Sequence, residues 1–143
     1  MGEIIQTMTT SYSVLAPAIY SNLTGGTALI TALGGTAVYS DAAPDGVALP
    51  YVVYSYQAGG PENLTPSDLR SCLVYVRAYA ASRQAAESIA SLIFDRLYHT
   101  NLSLTGYTNF FTTCESEVVL IEHNPAGIPT YTAGGMYRIR FDE

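Results

Sequence analysis

The sequence predicts an α+β domain in which an antiparallel or mixed sheet of four to five strands carries helices packed on one face. Over Arg70–Ala80, small apolar residues alternate with larger or charged ones, which is typical of a strand. An alanine-rich segment with helical spacing follows it from Ser82. The inferred order is two helices, three strands, one helix and two strands, which favours one sheet with the helices on one side.

Two short helices are predicted at the start. Apolar residues of one helical face place the first at residues 16–23, and Pro17 then falls in the first turn, where proline is tolerated. The second contains Leu29 and Leu33 and stops at Gly34-Gly35, because glycine readily adopts the left-handed conformation that ends a helix.

Three strands are predicted next. A four-residue strand precedes the turn Pro44-Asp45-Gly46, and Pro50 opens a strand over Tyr51–Tyr56. Gly59-Gly60-Pro61 is expected to break that strand and to leave residues 57–69 as a long polar connection.

The third strand and the following helix are expected to form the centre of the core. Small apolar residues share one face of the strand: Cys72, Val74, Val76 and Ala78. Ser82 is a suitable N-cap for a helix whose apolar face contains Ala86, Ile89, Ala90, Ile93 and Leu97. We expect these two faces to pack together.

The C-terminal third predicts two further strands, Glu115–His123 and Tyr131–Phe141, after a polar, turn-rich segment at residues 99–113. Gly134-Gly135 suggests a bulge or a close backbone approach. Glu115 and Glu117 are expected on one face, where they could form cross-strand ion pairs with Arg138 and Arg140.

Composition limits the classes of function. The 143 residues include six arginines, no lysine and twelve acids, for a net charge of −6, which disfavours binding to phosphate backbones. No apolar run approaches the roughly 20 residues that span a bilayer, and the acidic start is unlike a signal peptide. We therefore expect a protein of the cytoplasm of the cell that makes it, without membrane contact and with Cys72 and Cys114 reduced.

Residues that carry chemistry are few and scattered. Cys72, His99, Cys114 and His123 lack the close spacing of a zinc site, so neither a metal nor another cofactor is expected. One function that these residues leave open is a small ligand-binding or cysteine-dependent hydrolytic α+β domain using Cys114 or His123. No cation flanks Cys114 to activate its thiol, so no catalytic residue is assigned and an enzyme is not expected.

Several segments together resemble the bacteriophage tail completion family, the tail terminators that join tail to head. They are Ala28–Gly35, Val38-Tyr39, Pro44, Leu49–Tyr54, Tyr75–Ala80, Ala85–Ala90 and Met136–Phe141. The resemblance covers nearly the whole chain and implies one domain over residues 1–143, with residues 1–11 as a candidate flexible extension.

The resemblance also implies a function and partners. Members form a ring of six copies that caps the head-proximal end of the tail tube, stops tube polymerisation and joins the tail to the head connector. DNA would pass through the lumen without specific binding, which suits an acidic subunit. This places the protein in the virion tail after assembly in the host cytoplasm. The candidate interface residues are Glu62, Asn63, Leu64, Asp68, Arg70, Arg138 and Arg140.

Overall fold

The computed structural model describes residues 10–63, 68–123 and 127–142. Its helices are α1 (Ser11–Thr24), α2 (Thr27–Leu33) and α3 (Arg83–Leu97). Its strands are β1 (Val38–Ser40), β2 (Tyr51–Pro61), β3 (Arg70–Ala80), β4 (Ser103–Leu104), β5 (Tyr107–His123) and β6 (Pro129–Asp142).

The described strands form one mixed sheet in the order β1-β2-β3-β6-β5-β4. β1 runs parallel to β2, and all other neighbours are antiparallel. The predicted α+β class and mixed sheet are confirmed, but six strands replace the expected four to five. The additional strand, β4, lies in the segment 99–113, whose polar composition indicated turns alone.

The helices cover one face of the sheet and share a single apolar core with it. Leu15 and Ile19 of α1, Leu29 of α2 and Ile93 of α3 are each at most 1% exposed. The same cluster includes the predicted strand face of Cys72, Val74, Val76 and Ala78. The predicted packing of α3 on β3 is therefore confirmed.

The predicted helix ends are confirmed where a local signal marks them. Ser82 Oγ accepts a hydrogen bond from the Ala85 backbone N–H at 3.2 Å, as an N-cap does. Gly34 ends α2 with φ of +76°, the left-handed region that glycine adopts without strain.

The predicted start of α1 is wrong by about one turn and a half. The helix begins at Ser11, so Pro17 lies inside it and not in its first turn. A proline in a helix interior removes one backbone hydrogen bond. The complete burial of Leu15, Ile19 and Leu23 compensates, because tertiary packing supplies most of the stability of helices in folded proteins.

Three strands are longer than predicted. β5 begins at Tyr107, inside the segment that was expected to be turn-rich, and β6 runs from Pro129 to Asp142. The third is β2. β2 continues through Gly59-Gly60 to Pro61, which pairs with Arg70, after a register shift between Tyr56 and Ala58. Gly59 pairs with Cys72 at a φ of +123°, so its lack of a side chain permits the strand that it was expected to break. The polar connection shrinks to a β2–β3 hairpin turn within residues 62–69.

Gly134 shows the close backbone approach that its sequence context indicated. A Cβ atom at this position would lie 2.1 Å from the Val76 carbonyl oxygen and 2.6 Å from Arg77 Cα. Neither backbone atom can move away without disturbing the central β3–β6 ladder, in which Gly134 pairs with Arg77. Glycine at this position therefore permits β3 and β6 to pair at this register.

A bulge in β5 corrects the predicted alternation of its acidic residues. The register with β6 shifts between Cys114 and Ser116, so Glu115 is the additional residue. Because one inserted residue reverses the faces that follow, Glu115 and Glu117 lie on opposite faces and not on the same one.

Candidate interaction surface

The base of the β2–β3 hairpin is held by a buried arginine. Arg70 is 3% exposed and forms a bidentate pair with Asp68, with Nε–Oδ1 and Nη2–Oδ2 distances of 3.3 and 3.2 Å. The Tyr107 hydroxyl also donates to Asp68 Oδ2 at 3.2 Å, and its ring lies 5.1 Å from the Arg70 guanidinium carbon. Arg70 Nη1 donates to Ser11 Oγ at 3.3 Å.

These contacts divide the predicted interface residues of the hairpin into two groups. Asp68 and Arg70 face inward and tie the turn to α1 and β5. Glu62 and Asn63 are exposed, and Asn63 has a positive φ of 59°. Leu64 lies outside the described residues.

The two C-terminal arginines also differ in their surroundings. Arg138 forms a bidentate pair with Glu115 at 2.9 and 3.1 Å and donates to Ser71 Oγ at 3.3 Å, which confirms the predicted cross-strand pair. The hydrogen bond from Arg138 lowers the pKa of Glu115 below its usual value. Arg140 is exposed, so it is the more accessible of the two.

The sheet face without helices is lined by tyrosines around Arg77. Arg77 Nε donates to the Tyr79 hydroxyl at 2.7 Å, Nη1 donates to Ser55 Oγ at 3.0 Å, and the guanidinium lies 4.7 Å from the centre of the Tyr75 ring. Tyr79 stacks on Tyr51 at 4.9 Å. A tyrosine ring is apolar with a polar tip, and here these rings cover a sheet face on which none of the described helices packs.

An exposed apolar surface at the end of the β5–β6 hairpin was missed by the sequence analysis. Val119, Leu120 and Ile121 are 49%, 46% and 54% exposed, and Ile128 is 60% exposed. The sequence analysis predicts only a strand over Glu115–His123 at this place and no exposed apolar surface. Four consecutive apolar residues, Val118–Ile121, are the signal that could have shown a strand apolar on both faces.

The cysteines and histidines do not form a reaction centre. Cys72 is buried in β3 and Cys114 lies on β5, with β6 between them, and both are free thiols. Cys114 and His123 lie on one strand nine residues apart, roughly 30 Å at the rise of a β-strand. Burial and the Glu117 carboxylate raise the pKa of Cys114, which disfavours its nucleophilic thiolate.

Within the described ranges, no group of three His, Cys, Asp or Glu side chains is arranged to hold a metal ion. His99 follows α3 with a positive φ of 57° and stacks on Tyr98 at 3.8 Å. Among the residues that the structure describes, no helix is both long enough and apolar enough to span a membrane.

The described residues thus combine a mixed sheet, helices on one of its faces and an exposed apolar strand end. The profile of the family described as "Tail completion protein gp17" matches residues 17–126, so the chain belongs to that family of phage tail structural proteins. No curated protein matches the chain.

One solved structure with a similar fold is described as "Virion of native gene transfer agent (GTA) particle". The similarity covers 92% of this chain and 96% of that chain, with a TM-score of 0.72 and 18% sequence identity. At this identity the likeness concerns the fold alone. It extends over nearly all of both chains, so the architecture described above is that of an entire subunit in that particle.

Proposed function

We propose that the protein caps the head-proximal end of a phage tail tube as a ring of six copies, stops tube polymerisation and joins the tail to the head connector. The proposal rests on membership of the tail completion family. The observation that supports it in the structure is the group of exposed apolar side chains at the end of the β5–β6 hairpin, since large exposed apolar surface is typical of a contact with another protein.

The negative net charge of the protein is compatible with the passage of DNA through such a ring. Each subunit has a net charge of −6, so a ring of these subunits repels phosphate and allows DNA to slide without specific binding. The protein would assemble in the host cytoplasm and reside in the virion tail. The geometry of Cys114 and His123 does not favour the alternative, a hydrolytic domain.

Within this proposal, the turn of the β2–β3 hairpin contacts a neighbouring subunit or the tube. Glu62, Asn63 and Arg140 are accessible for direct contacts. Asp68, Arg70 and Arg138 would act by holding the hairpin and the sheet edge in place, because each is bonded within the chain.

The test replaces residues 63–67 by a short Gly-Ser linker and retains Asp68, because removing Asp68 would leave the buried Arg70 without its carboxylate and cost about 3–5 kcal/mol. We expect an unchanged circular dichroism spectrum and melting temperature. Six-membered rings in negative-stain images, and capture by purified tail tubes, should be lost.

Two outcomes would contradict the proposal at different levels. If the parent chain forms no ring on tube ends, the capping function is wrong. If the linker variant caps tubes as the parent does, the hairpin turn is not the joining element, and the search moves to Asn124–Thr132.

A further inference from the structure

A groove of about 510 Å³ lies beside α3, away from the core. α3 packs mainly on β3 and β6, and its contacts with β5 are fewer. One wall of the groove is therefore a second face of α3, which includes Glu87, Phe94 and Asp95. The opposite side is formed by β5 and β6, including Cys114, Glu117, Val119 and Tyr137.

The β5 side of the groove is a strand edge with an apolar surface. From Thr113 to His123, no strand of the described chain pairs with β5 on the side away from β6. Val119 lines the groove, and the exposed Ile121 lies two residues further along the same face. An unpaired edge of this kind accepts an extended segment as an added strand.

Three carboxylates surround this apolar surface. Glu87 and Asp95 lie on α3, and Glu117 faces them from β5. All three side chains are on exposed residues, so they can neutralise cations of a bound chain at the rim of an interface.

The cations of a second copy are poorly placed to meet these carboxylates. The chain has no lysine, and five of its six arginines are bonded within it. Arg70 and Arg138 are held in ion pairs, Arg77 by Tyr79 and Ser55, and Arg83 and Arg96 by backbone carbonyls. A different, more basic partner suits the groove better.

We propose that this groove binds an extended segment of the tail tube subunit that carries apolar residues and lysine or arginine. The apolar residues would cover Val119 and Ile121, and the basic residues would meet Glu87, Asp95 and Glu117. This inference rests on the proposed capping function and assigns the surface on which the tube is held.

Cys114 reports directly on occupancy of the groove. It lines the groove and is partly exposed, whereas Cys72 is fully buried, so a maleimide should modify Cys114 first. Alkylation of Cys114 is measured by mass spectrometry for the free chain, for rings without tubes and for rings on purified tail tubes. We expect it to be about tenfold slower or more only when tubes are bound, since interface residues are shielded from solvent.

A charge test uses Asp95→Lys and Glu117→Lys together, with Glu122→Lys as the matched control on the opposite face of β5. We expect capture on tail tubes to weaken by about tenfold or more in the double variant, because like charges face each other across the rim. Ring formation should be unchanged, and the control should bind tubes as the parent does.

Each outcome decides the inference. Protection of Cys114 in rings without tubes would show that a second copy fills the groove and would overturn the proposal. Unchanged reactivity on tubes, or equal capture by the double variant, would overturn it while leaving the capping function intact. Failure of the parent chain to bind tubes at all would refute the capping function and this inference together.

Discussion

Tyrosine hydroxyls connect distant parts of this chain. The Tyr54 hydroxyl donates to the Ala16 carbonyl at 3.2 Å and thereby joins β2 to α1. Tyr12 of α1 shares a hydrogen bond with Ser40 at the end of β1. Tyr107 joins β5 to the hairpin carboxylate of Asp68. These three hydroxyls fix α1 and the β2–β3 hairpin relative to the sheet.

Burial of these rings predicts a loss of stability at alkaline pH. Burial raises the pKa of Tyr54 to about 12 from the usual 10. The folded state therefore favours the neutral phenol, so this contribution to stability is complete below pH about 10 and is lost as the pH rises through about 12. Tyr137 is shifted in the same direction.

Urea unfolding at about pH 8.5, 10 and 11.5 measures this effect, and the free energy of unfolding should fall across the series. Tyr54→Phe should show a weaker fall, because it removes one of the shifted groups. A free energy that stays constant up to pH about 11.5 in the parent would contradict the prediction.

At the scale of elements, α3 on β3 is the central packing unit. Ala86, which is fully buried, and the small face of β3 allow close approach, while Ile89 and Ile93 fill the space between helix and sheet. The face of α3 that carries Glu87, Phe94 and Asp95 forms one wall of the groove beside β5. One helix thus supplies both the core and the surface proposed to hold the tube.

Ile93→Ala should destabilise the fold by about 2–5 kcal/mol, because Ile93 is fully buried and the truncation leaves a cavity. Ser88→Ala on the exposed face of the same helix is the control and should change stability by less than about 0.5 kcal/mol. Chemical denaturation measures both. A cost for Ile93→Ala as small as that of the control would mean that this helix face is not part of the core.

At the scale of the molecule, one apolar cluster connects all three helices with β2, β3 and β6. We therefore expect the chain to unfold as a single cooperative unit. Scanning calorimetry should give one transition whose calorimetric and van't Hoff enthalpies agree. Two separate transitions, or a van't Hoff enthalpy well below the calorimetric one, would show that the chain contains two independently folding parts.

The sequence by itself determined the features that depend on near neighbours along the chain. Ser82 begins α3 and Gly34 ends α2 through hydrogen bonds within a few residues. The alternation of buried and half-buried residues around Val74 and Val76 depends only on the two-residue repeat of a strand. The match of these segments to tail completion proteins also indicated the family, which the profile over residues 17–126 confirms.

The tertiary structure decided the features that depend on partners far away in sequence. Pro17 lies on the exposed side of α1, and the helix continues through it because the opposite face, with Leu15 and Ile19, is buried in the core. Arg70 is buried where Asp68, Ser11 and Tyr107 contact it. The β5 bulge places Glu115 and Glu117 on opposite faces of the strand. The groove between α3 and β5 is lined by the carboxylates of Glu87, Asp95 and Glu117. Local periodicity carries no signal for such contacts, since their free energy arises only once distant segments pack together.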